Sequence, residues 1–267
     1  MSRGRSQTQL GGVFIYRFLP SPNLPENKTA VAVISGKKPE IIAELKRLGV
    51  RPVLAGELKG ITGQEKYHAD MMLCHIGSSE IIVFDECKDL MSSLRKACID
   101  YGLRPNITYC DKAITEKEPM LNVCILKNRI ICSKKHTYKK LLDSARKTGL
   151  NLLDTAQRYT KCSVAIVNEN AVITADTSIY RLCLKNGIDV LKISEYGVKL
   201  SGYSYGFIGG SCGLLDKSTL VFCGNIKNHP DYLNIRDFLR GYGVYAVSLS
   251  DKPLYDIGGI IPLIETV

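Results

Sequence analysis

No apolar run in the 267 residues reaches the roughly 20 residues that a membrane-spanning helix needs. That excludes a helical membrane protein. Trp is also absent. The N-terminal "MSRGRSQTQL" is basic, but the apolar "GGVFIYRFLP" behind it is short and broken by Arg17 and Pro20. It does not make the core of a secretion signal, so a cytoplasmic location is expected. The ten cysteines contain no Cys-x-x-Cys pair. Cys74, Cys124 and Cys183 sit inside apolar runs, where a free thiol behaves as a small buried hydrophobe. A disulfide framework is therefore not expected. No Cys/His spacing suits zinc: His68 and His75 are seven apart and have no matching pair. Neither a metal nor a cofactor is expected. The segment "GYSYGFIGG" lacks a Gly-Lys-Ser/Thr ending, which excludes a phosphate-binding loop of that kind and leaves a lid or a plain loop.

What is present begins with charge. The net charge is +10, spread as "KK", "KKHTYKK" and single lysines in helix-like stretches. This reads as a solvated basic face. No base-stacking motif accompanies it, so nucleic acid or the ribosome stays open as a partner on charge alone.

The chain repeats itself. One unit is an apolar run, a turn, a second apolar run, an amphipathic helix, a glycine and a short strand. Four such units start at "MMLCHIG", "LNVCILKN", "CSVAIVNEN" and "GLLDKSTLVF". A fifth, from "AVAVISGKKPEIIAELKRL", lacks its leading strand, and the C-terminal "DIGGIIPLIETV" is a leading strand with nothing after it. Gly49, Gly102, Gly149, Gly187 and Gly243 each follow a helical pattern. Glycine at that position ends a helix in the left-handed conformation at least steric cost. The reading is an α/β fold of five ββαβ units closed by the C-terminal strand, with residues 1–28 as an extension and 29–267 as one domain.

In "EKYHADMMLCHIGSSEIIVF", His68 and Asp70 stand two apart before an apolar run. If the segment is a strand, they share a face. Asn122 and Cys124 pair in the same way in "LNVCIL". A ring of five such units with these signatures resembles the pentein superfamily, the guanidino-group-modifying enzymes. The phrases "YGFIGGSCG" and "DIGGIIPL" resemble those of an uncharacterised bacterial family assigned to this fold. The resemblance implies a five-bladed β/α propeller with a central channel, a catalytic His-x-Asp at His68 and Asp70, and a nucleophilic Cys near the start of "YTKCSVAIVNENAVIT".

The sequence departs from that pattern. Aligned on Ser163, the nucleophile position falls on Lys161, and Cys162 is one residue late. A one-residue slip in a strand turns a side chain to the opposite face, so Lys161 and Ser163 are expected in the channel and Cys162 among the helices. The resemblance also implies carboxylates that hold the guanidinium in the two remaining units. There "GGSCG" has Cys212 and no acid, and Ile260 follows Gly258-Gly259 where Asp would stand. Two readings follow. The first is a binding protein for a small molecule in the channel, contacted by Asn122 and Lys161 and by the backbone of Gly209, Gly210, Ser211, Gly258 and Gly259. The second is a hydrolase or amidinotransferase-like enzyme with Cys212 or Cys162 as nucleophile and His68 and Asp70 as acid/base and orienting group. On the first reading, free arginine and agmatine are not substrates.

Overall fold

The computed structural model describes residues 15–61, 63–111 and 119–267. Strand β1 (Tyr16–Phe18) precedes β2 (Thr29–Ser35), α1 (Pro39–Arg47) and β3 (Arg51–Ala55). A single helical turn, α2 (Ala69–Met72), opens into β4 (Leu73–Gly77), β5 (Glu80–Phe84), α3 (Lys88–Asp100) and β6 (Asn106–Cys110). Next come β7 (Cys124–Leu126), β8 (Arg129–Cys132), α4 (Lys139–Lys147) and β9 (Asn151–Asp154). A second single turn, α5 (Thr160–Ser163), leads to β10 (Val164–Asn168), β11 (Ala171–Thr174), α6 (Thr177–Lys185) and β12 (Asp189–Lys192). After β13 (Val198–Lys199) follow β14 (Cys212–Asp216), β15 (Thr219–Phe222), α7 (Tyr232–Gly241) and β16 (Tyr245–Ser248). The chain ends with β17 (Leu254–Tyr255) and β18 (Ile260–Thr266).

The fold is mixed α/β, and one connection recurs in it. In β4-β5-β6, β7-β8-β9, β10-β11-β12 and β14-β15-β16 the first strand is antiparallel to the second, and the second is parallel to the third across a helix. A parallel pair requires such a crossover. In the remaining sheet β18 takes the leading position, antiparallel to β2, which is parallel to β3. The described part of the N-terminal extension adds β1 to the outer side of β18.

Burial follows the hydropathy. The leading strands β4, β7, β10 and β18 are buried almost throughout, as their continuous apolar runs require. The third strands β6, β12 and β16 are largely exposed or half-buried. The helices turn one stripe inward, such as Leu141, Leu142 and Ala145 of α4. Each of the five helix-ending glycines has a positive φ, from 63° at Gly187 to 84° at Gly49. The residue after each donates its N–H back across the last helical turn, as Val50 does to the Leu45 carbonyl and Val244 to that of Leu239. The helix therefore stops and reverses at the same point in every unit.

Glu265, near the end of β18, is fully buried. One of its oxygens accepts from Arg17 Nε at 2.8 Å, and the other accepts from the N–H groups of Glu26 and Asn27 at 2.7 and 2.8 Å. This carboxylate ties the segment before β2 onto the C-terminal strand. Glu265→Ala leaves two backbone N–H groups and part of a half-exposed guanidinium without their acceptor, and should lower the unfolding free energy by roughly 1–3 kcal/mol in urea titrations. A loss within experimental error would show that the carboxylate is incidental.

Candidate active site

The starts of the five leading strands carry polar residues, and local backbone decides where each points. His68 is the extended residue before α2, and Asp70 lies within that turn. Asn122 sits in the loop before β7. Lys161 and Cys162 lie within α5. Gly209–Ser211 form a 3-10 turn before β14. Ahead of β18, Gly258 and Gly259 both adopt positive φ, 77° and 72°, a pair of left-handed residues that only glycine accommodates without strain. The N–H groups of Ile257 and Gly259 both donate to the Gly210 carbonyl at 2.8 Å. This double turn brings Asp256 to the wall of the pocket that His68 and Cys162 line.

The side chains of four units meet in one polar cluster. Cys162 Sγ donates to Asp70 Oδ2 at 2.9 Å and receives Asn122 Nδ2 at 3.2 Å. Asn122 Oδ1 accepts from the N–H groups of Lys161 and Cys162, at 2.9 and 3.2 Å, capping the α5 turn. His68 Nδ1 is 3.7 Å from Asp256 Oδ1. Asp256 is fixed in turn by the N–H groups of Phe207 and Gly258, at 2.9 and 3.1 Å. Donor atoms of His68, Cys162 and Asp256 lie within 4.8 Å of one another. This is also the one set of three His, Cys or acidic groups among the described residues close enough to hold a metal ion. It comes from three distant segments, so Cys/His spacing could not reveal it.

His68, Cys162 and Asp256 line a cavity of about 300 Å³, with Glu65 at its rim and Tyr159, Tyr203, Tyr205 and Phe207 as walls. A larger cavity, about 510 Å³, lies among the hairpin turns at Lys127, Asn168, Glu169 and Lys217. It contains neither His nor Cys. We therefore take the smaller cavity as the site, since it combines a nucleophile, a base and carboxylates under an aromatic wall.

Burial dominates the electrostatics. Desolvation raises the Asp70 carboxyl to about 6, against the pull of His68 and Lys161. The Cys162 thiol is pushed well above its usual range, first by burial and then by the charges of Asp70 and Asp256. The thiol is therefore neutral at rest. Asp70 Oδ1 and Glu65 Oε2 are buried and have no hydrogen-bond partner among the described residues. Each therefore has acceptor capacity to spare.

Several expectations change. Cys162 does not turn away from the channel. The residues at 160–163 form a helical turn, in which strand alternation does not apply, and Cys162 enters the pocket. Lys161 is buried and lines a narrow cavity of about 10 Å³ beside Cys212. Its ammonium forms no hydrogen bond or ion pair among the described residues. Cys212 lines this narrow cavity and not the pocket of His68 and Cys162, and burial raises its thiol to about 12. Gly209, Gly210 and Gly258 are packing positions: a Cβ would strike the Val164 carbonyl, the Asp256 carboxylate and His68, respectively. Ser211 donates to the Ile208 carbonyl. Two acids that line the pocket are Asp256, four residues before Ile260, and Glu65. Sequence reasoning passed over both, although "DIGG" offered a signal in its paired glycines.

Solved structures of the same architecture are enzymes of guanidino chemistry. The inosamine-phosphate amidinotransferase of Streptomyces griseus matches with a TM-score of 0.57 at 11% identity, covering 91% of this chain and 94% of that one. The amidinotransferase of saxitoxin biosynthesis from Microseira wollei matches at 0.55 and 11%, covering 89% and 97%. The dimethylarginine dimethylaminohydrolase of Pseudomonas aeruginosa, a Cys-to-Ser variant complexed with citrulline, matches at 0.55 and 9%, covering 91% and 100%. The fold is that of the pentein superfamily. No curated protein sequence matches the chain. A model of DUF6873, a family of unknown function, matches residues 33–261. No helix of the described residues is long and apolar enough to cross a membrane.

The raised Asp70 carboxyl makes a stability prediction. Its folded value, about 6, lies above the ordinary 3.8, so the folded state holds the proton more tightly. Stability contributed by this group is full below about pH 4 and falls as pH rises through 6. Asp70→Asn removes that cost. Denaturant titrations should find the variant more stable by on the order of 2 kcal/mol at pH 7 to 8, and equal to the parent near pH 4. A variant destabilised equally at both pH values would contradict this.

Proposed function

This chain belongs to the DUF6873 family, and we propose that Cys162 is the nucleophile of a thiol-dependent enzyme acting on the central carbon of a guanidinium or amidinium group. The observation that carries this reading is the meeting of Cys162 with His68 and Asp256 in one aromatic-walled cavity, with Asp70 accepting the Cys162 thiol proton from behind. The fold of guanidino-modifying enzymes supports it. We also read the five units as closing into a ring. Successive packing of β7, β10, β14 and β18, and the pairing of β18 with β2, support that closure.

The chemistry follows from the charges. A planar cation entering the site gives its N–H groups to Asp256 and Glu65, the carboxylates that line it, whose oxygens replace its lost water. Its positive charge offsets the carboxylates that hold the thiol neutral, so ligand binding lowers the thiol pKa. The Cys162 proton passes to His68, and the thiolate attacks the central carbon. His68 then returns the proton to the departing amine as the C–N bond breaks. This leaves a thiouronium on Cys162. Water deprotonated by His68 releases a urea in a hydrolase, and an acceptor amine takes the carbon in a transferase. Lys161 supplies the fixed cation that keeps Asp70 ionised in a buried site. A scaffold without chemistry has less support, because its premises were an outward-facing Cys162 and a lack of carboxylates.

Alkylation tests the assignment. Chloroacetamidine carries a planar cation, and chloroacetamide is its neutral counterpart. Cys162 should be labelled by the amidine at least about tenfold faster relative to each reagent's rate with a free thiol, equivalent to about 1.4 kcal/mol of cation recognition. Cys162→Ser should abolish that labelling and any release of urea products from guanidines. Modification of another cysteine first, or no preference for the cation, would refute the proposal.

A further inference from the structure

A second, smaller cavity adjoins the catalytic one. It has a volume of about 70 Å³ and shares His68, Leu200 and Asp256 with it. Its own walls add Lys37 and Lys38, from the connection between β2 and α1, with Gln64 and Ser201. The two lysines differ from many others on this surface. Lys66, Lys127 and Lys252 are each paired with a carboxylate. Lys37 and Lys38 form no ion pair among the described residues. Each ammonium instead stands over an aromatic face, Lys37 at 4.1 Å from the Tyr67 ring centre and Lys38 at 3.5 Å from that of Tyr255. A ring face holds an ammonium in place without neutralising it. Two ammonium groups outside any ion pair, each within the field of one carboxylate (Glu57 for Lys37, Glu40 for Lys38), are thus held beside a pocket whose acidic lining groups are Glu65 and Asp256.

We propose that this cavity is the subsite for the tail of the substrate, and that the tail is anionic, a carboxylate or a phosphate. The proposal rests on the guanidinium or amidinium head being held as described above. A molecule with a cationic head and an anionic tail meets opposite fields at its two ends and can enter in one orientation only. The ammonium groups act as point charges that suit either oxyanion. Lys37 and Lys38 are then specificity-determining residues, remote from the reacting carbon.

Binding to the Cys162→Ala protein, measured by calorimetry, tests this with guanidines that share a head and differ in tail. Guanidinobutyrate carries a carboxylate, guanidinoethyl phosphate a phosphate, butylguanidine a neutral tail and agmatine a cation. At least one of the anionic compounds should bind about tenfold more tightly than butylguanidine, and agmatine should bind most weakly. Which anion gains more identifies the tail. The double variant Lys37→Gln, Lys38→Gln should erase the anionic gain, and added salt should reduce it. Butylguanidine should keep its affinity in the double variant. Equal binding of all tails, or a gain that survives the double variant, would overturn the subsite and leave the head site standing. A guanidine with an aromatic tail binding best would place the tail against Tyr203 and Phe207 instead. Failure of every guanidine to bind would overturn both readings together.

Discussion

The site depends on a buried excess of negative charge. Asp70 and Asp256 are both nearly inaccessible to water; Asp256 lines the pocket beside the Cys162 thiol, and Asp70 lies behind that thiol as its hydrogen-bond acceptor. The fixed cation nearby is Lys161, and it lines the narrow cavity beside Cys212 instead of the pocket. Removing two carboxylates from water is costly, and the protein meets that cost with hydrogen bonds from Phe207, Gly258 and Cys162 and with the field of Lys161. The compensation is incomplete, as the raised Asp70 carboxyl records. A cation arriving from outside completes it.

The architecture explains why these groups converge. Leading strands buried on both faces start near one another, so one residue from the start of each reaches a shared space. Each start uses a different local device: a helical turn at Cys162, a loop at Asn122, paired left-handed glycines before Ile260. Nothing but backbone geometry makes Asn122 Oδ1 the cap of the turn that aims Cys162. The site is therefore rigid where its polar groups are interlocked. Its outer wall is looser, since Tyr203 remains half exposed.

Much of this was legible in sequence. The helix-ending glycines at Gly49, Gly102, Gly149, Gly187 and Gly243 marked the units because a left-handed residue is needed at each, and the two orphan strands indicated that β18 would join β2. His68, Asp70 and Asn122 were found because polar residues at the head of apolar runs stand out. Cys162 was misplaced for a physical reason. Alternation at 180° per residue was applied to a segment that turns about 100° per residue. Asp256 was missed because a carboxylate was sought immediately after the paired glycines, whereas their positive φ returns the chain so that the acid before them reaches the pocket. Lys37 and Lys38 looked like ordinary surface charge until their placement over Tyr67 and Tyr255 was seen.

The central claim is that the resting thiol is held neutral by its carboxylates and ionised by a bound cation. Thiolate absorbance in the ultraviolet, taken as the difference between the parent protein and Cys162→Ser and followed through a pH titration, measures this directly. The account predicts a Cys162 pKa well above that of a free thiol in the unliganded protein, and a marked fall when a guanidinium ligand binds but not when its uncharged urea counterpart is added. A thiol already ionised near neutral pH without ligand, or one indifferent to the cation, would contradict it.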